Sequence, residues 1–205
     1  MGKKNKVTLY KKGLLLEYFT VAYNAVEAVG AIVFGKMANS IALIGFGLDS
    51  IMESLSGIVL IWRLHKHGKI SEEEEEKVER KAMKFVAATF FILGAYVLYQ
   101  SLKKLVTREI PDPSLPGIIL AVVSIIVMPF LGFQKMKTGQ QIKSQALIAD
   151  AKETFACALL SIALLLGLSL NYALGLWQAD ALAGLIIVIF LFREGSESWE
   201  EATNP

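Results

Sequence analysis

Six apolar stretches, each close to the length that crosses a bilayer, divide this chain and leave little room for anything else. They run at about 14–34, 41–62, 85–102, 117–133, 145–170 and 174–192. A hydrocarbon core about 30 Å thick needs about 20 helical residues. Backbone in lipid must also satisfy its own hydrogen bonds, so the pattern predicts an all-α integral membrane protein with six transmembrane helices. The connections are short: Gly35–Ser40, a charged 63–84, a Pro-rich Ile110–Pro116, a basic 134–143 and Asn171–Leu174. They leave a basic start at 1–13, one six-helix membrane domain at 14–193 and a short tail at 194–205. Pro129 falls inside the fourth stretch, where its missing donor predicts a kink.

Charge decides orientation and removes whole classes of function. The 21 basic and 19 acidic residues nearly cancel, so there is no concentrated basic face and no case for a nucleic-acid partner. The single cysteine, Cys157, excludes an internal disulfide framework or a Cys-x-x-Cys cluster. No small-residue cleavage site closes the first apolar run, and Lys6 stands where an acylation signal wants Ser or Thr, so the first segment is expected to be retained. An even number of spans puts both termini on one side. Assigning that side to the cytoplasm places 16 of the 21 basic residues there, 4 outside and Lys152 within a span. The expected topology is therefore N-in and C-in, and a short chain with few loops suits a bacterial or archaeal inner membrane.

Setting residue i against i+104 reveals an internal echo. Ser40-x-Ala-Leu-Ile becomes Ser144-x-Ala-Leu-Ile, Asp49-Ser50 falls on Glu153-Thr154, and Glu53 falls on Cys157. Five of eighteen positions are identical. The second and fifth spans would run in opposite directions, the inverted arrangement that places transporter sites near the membrane midplane. Nine residues carry Asp49 and Glu153 each about 13 Å in from opposite faces, so the two can meet.

The ionisable residues inside the spans are unevenly spread, and that is the main functional signal. The third and fourth stretches carry none, whereas the others carry Glu17, Glu27, Asp49, Glu53, Asp150, Lys152, Glu153 and Asp180. A charged side chain at the bilayer centre costs about 2.5–3.5 kcal/mol on insertion scales, so several acids at depth must face a wet or ion-filled cavity. Asp49 and Glu53 are four apart and share one helix face. Glu153 and Cys157 repeat that spacing, and Asp150, seven before Cys157, joins their stripe. Carboxylate oxygens with one thiolate suit a divalent ion such as zinc, cadmium, iron, cobalt or manganese. The same carboxylates bind protons, so metal entry should expel protons and the reverse, which is antiport.

Other residues carry alternative readings. Asn24 and Glu27 fit either ligands or interhelical hydrogen-bonding glue. Glu17 lies near the cytoplasmic end and is left out of the site. Lys152 should either snorkel to the cytoplasm or pair with an acid such as Glu27 or Asp180. His65, His67 and the run Glu72–Glu76 read as a solvated loop, with a weak metal-collecting site as the alternative.

These residues resemble the cation diffusion facilitator (cation efflux) family over about 14–202. The anchors are Ser40-Ile-Ala-Leu-Ile with Asp49 and Glu53, Ser144-Gln-Ala-Leu-Ile-Ala-Asp150-Ala-Lys-Glu153 with Cys157, and Gln178-Ala-Asp180-Ala-Leu-Ala-Gly184. The resemblance implies a six-helix transport domain whose metal site comes from ligand pairs four apart on the second and fifth helices. It gives Asp180 a structural part. In the family those pairs are usually His or Asp followed by Asp, so Glu53, Glu153 and Cys157 depart from the pattern. The family's cytoplasmic C-terminal domain is not expected here, as in a short, transmembrane-only branch. Members are commonly homodimers exchanging divalent metal for protons.

The resulting expectation is a non-enzymatic exporter with no prosthetic group. Its cargo is a divalent transition metal, zinc first, bound by Asp49, Glu53, Glu153, Cys157 and Asp150, with Glu27, Asn24 and Asp180 as secondary candidates. The alternatives are a membrane scaffold with a vestigial ion site, or a carrier of manganese, iron or magnesium.

Overall fold

The computed structural model describes residues 3–66, 72–142 and 144–203. They form six helices: α1 (Lys3–Met37), α2 (Ile41–Lys66), α3 (Glu72–Thr107), α4 (Leu115–Ile142), α5 (Gln145–Leu174) and α6 (Gln178–Thr203). Four of them, over Thr8–Met37, Ile41–His65, Leu115–Ile142 and Asp150–Leu174, are long and apolar enough to cross a membrane by length and composition alone. The other two, α3 and α6, have charged ends and pack chiefly against each other.

The elements run further than the apolar stretches. The backbone is helical from Glu72, so most of the charged 63–84 connection belongs to α2 and α3 rather than to a loop. Lys, Glu and Arg are good helix formers, and an acidic first turn suits the positive end of the helix dipole. Residues 134–142 of the basic segment are likewise the last turns of α4, and 194–203 continues α6. Pro129 sits within α4, which is helical on both sides of it. The fifth connection is not Asn171–Leu174, which is helical. It begins at Gly175, whose φ of 65° and N–H bond of 3.0 Å to the Asn171 carbonyl close α5.

Two hairpins, α1–α2 and α4–α5, pack side by side through α1 against α4 and α2 against α5, and the α3–α6 pair lies against α2 and α5. The hairpin turns repeat in atomic detail at the 104-residue offset. Ser40 N–H bonds to Gly35 O at 2.8 Å and Ser144 N–H to Gly139 O at 2.9 Å. Ser40 Oγ then accepts from Leu43 N–H and Ser144 Oγ from Leu147 N–H, each serine capping the following helix. The sequence echo is thus a structural repeat of the two turns.

Packing is inside out relative to a soluble protein. Along α1, Glu17, Thr20, Asn24 and Glu27 recur at helical spacing and are buried, while Leu15, Val26, Val29 and Val33 are exposed. The apolar core falls into two parts. The larger contains Phe46, Met52, Met128, Leu131, Leu160, Leu164 and Ile187, and the smaller Leu60, Leu64, Ile142 and Leu147. Along all four bundle helices, the positions between these parts carry buried polar groups: Glu17, Glu53, Lys135, Asp150 and Thr154.

Candidate metal centre

Each ligand helix brings its pair to the interior by the four-residue repeat. On α2, Asp49 and Glu53 are buried, and on α5 Cys157 is buried and Glu153 half-buried. All four line one small cavity of about 20 Å³, with Phe90, Ala156, Leu160, Phe190 and Glu194. The structure therefore brings together Asp49, Glu53, Glu153 and Cys157 from the two halves of the repeat. It adds Glu194 of α6, which the sequence reading assigned to the tail. The signal that could have found it is its position two residues past an apolar stretch that ends within the helix.

Hydroxyls from the facing helix hold two of the acids. Ser56 on α2 donates to Glu153 Oε2 at 3.0 Å, and Thr154 on α5 donates to Glu53 Oε1 at 2.8 Å. The other oxygen of Glu53, Oε2, is buried without a hydrogen-bond partner. Among the described residues, no three carboxylate, thiol or imidazole groups converge closely enough to hold one ion in this conformation. The chemistry of the donor set nevertheless fits a divalent metal: four acids and a thiol share a cavity, with one buried carboxylate oxygen uncommitted.

A second, wider cavity of about 400 Å³ adjoins the first and shares Glu153, Ala156, Phe190 and Glu194 with it. Lys152, Arg193 and Glu197 line it further out. Lys152 is exposed there, while Glu27 bonds to Tyr23 and Ser50 and Asp180 pairs with Lys104.

Four candidates are placed away from the cavity. Asp150 shares the stripe of Glu153 and Cys157, but seven residues separate it from Cys157 by about 10 Å along the axis. At that level it meets Lys135, whose Nζ lies 2.5 Å from Asp150 Oδ2 and 3.3 Å from Glu17 Oε2. Lys135 is fully buried, although the sequence reading counted it among the cytoplasmic basic residues. Asp180 accepts from Ser40 Oγ and from Ile41 N–H at the start of α2, and pairs with Lys104 on α3 at 3.3 Å. It is a helix cap and ion pair, the structural part that the resemblance implied. Glu27 accepts from Tyr23 at 3.0 Å and Ser50 at 2.9 Å, which ties α1 to α2. Asn24 is fully buried, with neither its amide nitrogen nor its oxygen hydrogen-bonded. In the α2–α3 connection, exposed His65 donates to the Ile61 carbonyl, whereas His67 and the side chains of Glu72–Glu76 lie outside the described residues.

Comparison with known proteins agrees with this architecture. The family model described as the cation efflux transmembrane domain matches residues 18–203. Transmembrane protein 163 of Xenopus laevis is 21% identical over 186 residues, covering 90% of this chain and 65% of its own. A transporter of Methanocaldococcus jannaschii is 25% identical over 166 residues, covering 79% of this chain and 58% of its own. The magnetosome protein MamB of a Magnetospira species is 25% identical over 176 residues, covering 84% and 60%. The chain thus spans about three fifths of the length of the curated relatives it matches.

Proposed function

Since the chain belongs to the cation efflux family, whose members are divalent-cation transporters and not enzymes, we propose that it exports a divalent transition metal, zinc first, in exchange for protons by alternating access. The observation that carries this reading is the single cavity lined by Asp49 and Glu53 from one half of the repeat and by Glu153 and Cys157 from the other. A site shared between two inverted halves can change sides when one half rocks against the other. Proton coupling follows from the ligands, because buried carboxylates crowded together cannot all stay ionised without a cation, and metal displaces what they hold.

Topology and assembly belong to the same proposal. Both termini face the cytoplasm of a bacterial or archaeal inner membrane, by the count of basic residues. The transporting unit is a homodimer, as the family resemblance implies.

The test is metal uptake into proteoliposomes loaded with a pH dye, scanning zinc, cadmium, manganese, iron and magnesium. Wild type should move metal against protons, and Asp49→Ala and Glu153→Ala should each lose at least about a hundredfold of that flux. Well-folded wild type that moves no ion, and no proton when metal is added, overturns the proposal in favour of a membrane scaffold.

A further inference from the structure

Behind the cavity, a chain of hydrogen bonds runs from α4 through α5 to α2 and ends on one oxygen of Glu53. On α4, Lys135 sits fully buried, with Nζ at 2.5 Å from Asp150 Oδ2, 3.3 Å from Glu17 Oε2 and 3.3 Å from Thr154 Oγ1. An ammonium has three donors and no acceptor, so at Thr154 Oγ1 it can only donate. Thr154 Oγ1 therefore receives a proton from Lys135 and has only its own left to give. Its two acceptors are Glu53 Oε1 at 2.8 Å and the Asp150 carbonyl at 3.0 Å. The carboxylate oxygen is the nearer, and a bond to an ionised acceptor is the stronger.

From this we infer that Thr154, held by Lys135, is a specificity-determining positioning residue: it ties up Glu53 Oε1 and leaves only Oε2 to bind cargo. The inference rests on the metal reading of the cavity. Its independent support is that Glu53 lines the cavity, and that Oε2 is the oxygen that is buried and unbonded. A carboxylate held in this way offers one oxygen to an ion. One-oxygen binding suits the small coordination number of zinc-like metals, with ligands at about 2.0–2.2 Å. Calcium takes about 6–8 oxygens and fills that shell in part with carboxylates that bind through both oxygens. Turning Glu53 to present both would pull Oε1 off Thr154. The equivalent hydroxyl in the other half, Ser50, donates to Glu27 of α1 instead, so the device belongs to one half of the repeat.

The experiment measures binding to the full chain in lipid nanodiscs, using Zn²⁺ alone by calorimetry and then displacement of bound Zn²⁺ by Ca²⁺. Thr154→Val keeps the shape and removes the donor, and Thr154→Ser keeps the donor. Thr154→Val should weaken Zn²⁺ about ten- to a hundredfold, as loss of a partner behind a ligand does, and Ca²⁺ should displace it at least about tenfold more readily. Thr154→Ser should stay near wild type. Calcium that displaces zinc from Thr154→Val no better than from wild type overturns the inference, because a purely structural loss lowers both affinities together. So does a serine variant that falls as far as the valine. If the valine chain fails to fold, Thr154→Ala carries the same expectations. Wild type that binds no Zn²⁺, or binds it unchanged after Asp49→Ala, overturns the metal reading itself, whereas unchanged selectivity in a binding protein overturns only the part given to Thr154.

Discussion

The α1–α2 and α4–α5 hairpins share their turns and part company behind their ligand helices. At the turns, Gly35 matches Gly139, Ser40 matches Ser144, and the same backbone bonds and serine caps recur. Deeper in the bundle, Ser50 and Thr154 occupy equivalent positions but meet opposite charges: Ser50 donates to the acid Glu27, and Thr154 accepts from the cation Lys135. The repeat thus conserves the frame that aims two helices at a common centre and varies the electrostatics around them. Behind α2 stands an acid whose two oxygens are satisfied by hydroxyls; behind α5 stands an ammonium shared between two carboxylates.

The sharpest test of that difference is removal of the cation. Lys135→Met leaves Glu17 and Asp150 buried without their shared partner, and breaking a buried pair from one side costs about 3–5 kcal/mol. The matching change in the first hairpin, Glu27→Gln, gives up one of two hydroxyl bonds and should cost about 1 kcal/mol. Thermal unfolding in lipid nanodiscs checks both. Adding Glu17→Gln to Lys135→Met should recover part of the loss, since one stranded charge is then gone. Equal losses from Lys135→Met and Glu27→Gln would mean that the two halves are not electrostatically distinct.

The parts of this architecture that were legible in sequence are those that the bilayer dictates. Six apolar lengths, the 104-residue echo and the Asp49/Glu53 and Glu153/Cys157 pairs follow from hydrocarbon thickness and helical period, and the cavity gathers the same four side chains. What escaped were charges at the margins of the apolar stretches. Lys135 is the first charged residue after the fourth stretch, with only Gln134 between, and reads as a loop residue because the uncharged run ends there. Only the packing of α1 and α5 against α4 shows that the helix carries it inward. Glu194 escaped for the same reason at the end of the sixth stretch. Asp150 shows the opposite error: the helical period assigns it the right face, but period says nothing of depth, and at its level the neighbour is Lys135.

The shared frame can be tested at its closest approach. A Cβ added at Gly35 would lie 2.8 Å from Ile44 Cγ1 and 2.9 Å from Ile44 N, and one at Gly139 would lie 2.9 Å from Ile148 Cγ1 and 3.2 Å from Ile148 N. A side-chain atom can move aside, but a backbone nitrogen at the start of a helix cannot without shifting that helix. Overpacking costs about 1–3 kcal/mol, against about 1 kcal/mol gained by alanine over glycine in a helix. Gly35→Ala should therefore lose about 1–2 kcal/mol in thermal unfolding, and Gly139→Ala less than about 1. Gly139→Ala proving the worse would break the equivalence of the two turns at the atoms that define it.

The smallest expected effect concerns the one position where the halves offer different ligand atoms to the cavity, Glu53 against Cys157. A thiolate is soft and favours zinc and cadmium, whereas carboxylates serve manganese and magnesium as well. Cys157→Ser keeps the size and removes the soft donor. In the proteoliposome assay it should lower zinc and cadmium flux at sub-saturating metal by about tenfold, equivalent to about 1.4 kcal/mol, and leave manganese within about twofold. If all ions fall together, Cys157 serves packing in the core it shares with Leu160 and Leu164, and the cargo is bound by oxygen alone. If none falls, the α5 half contributes to the ion through Glu153 only, and the asymmetry between the hairpins extends from the charges behind the cavity to the ligands inside it.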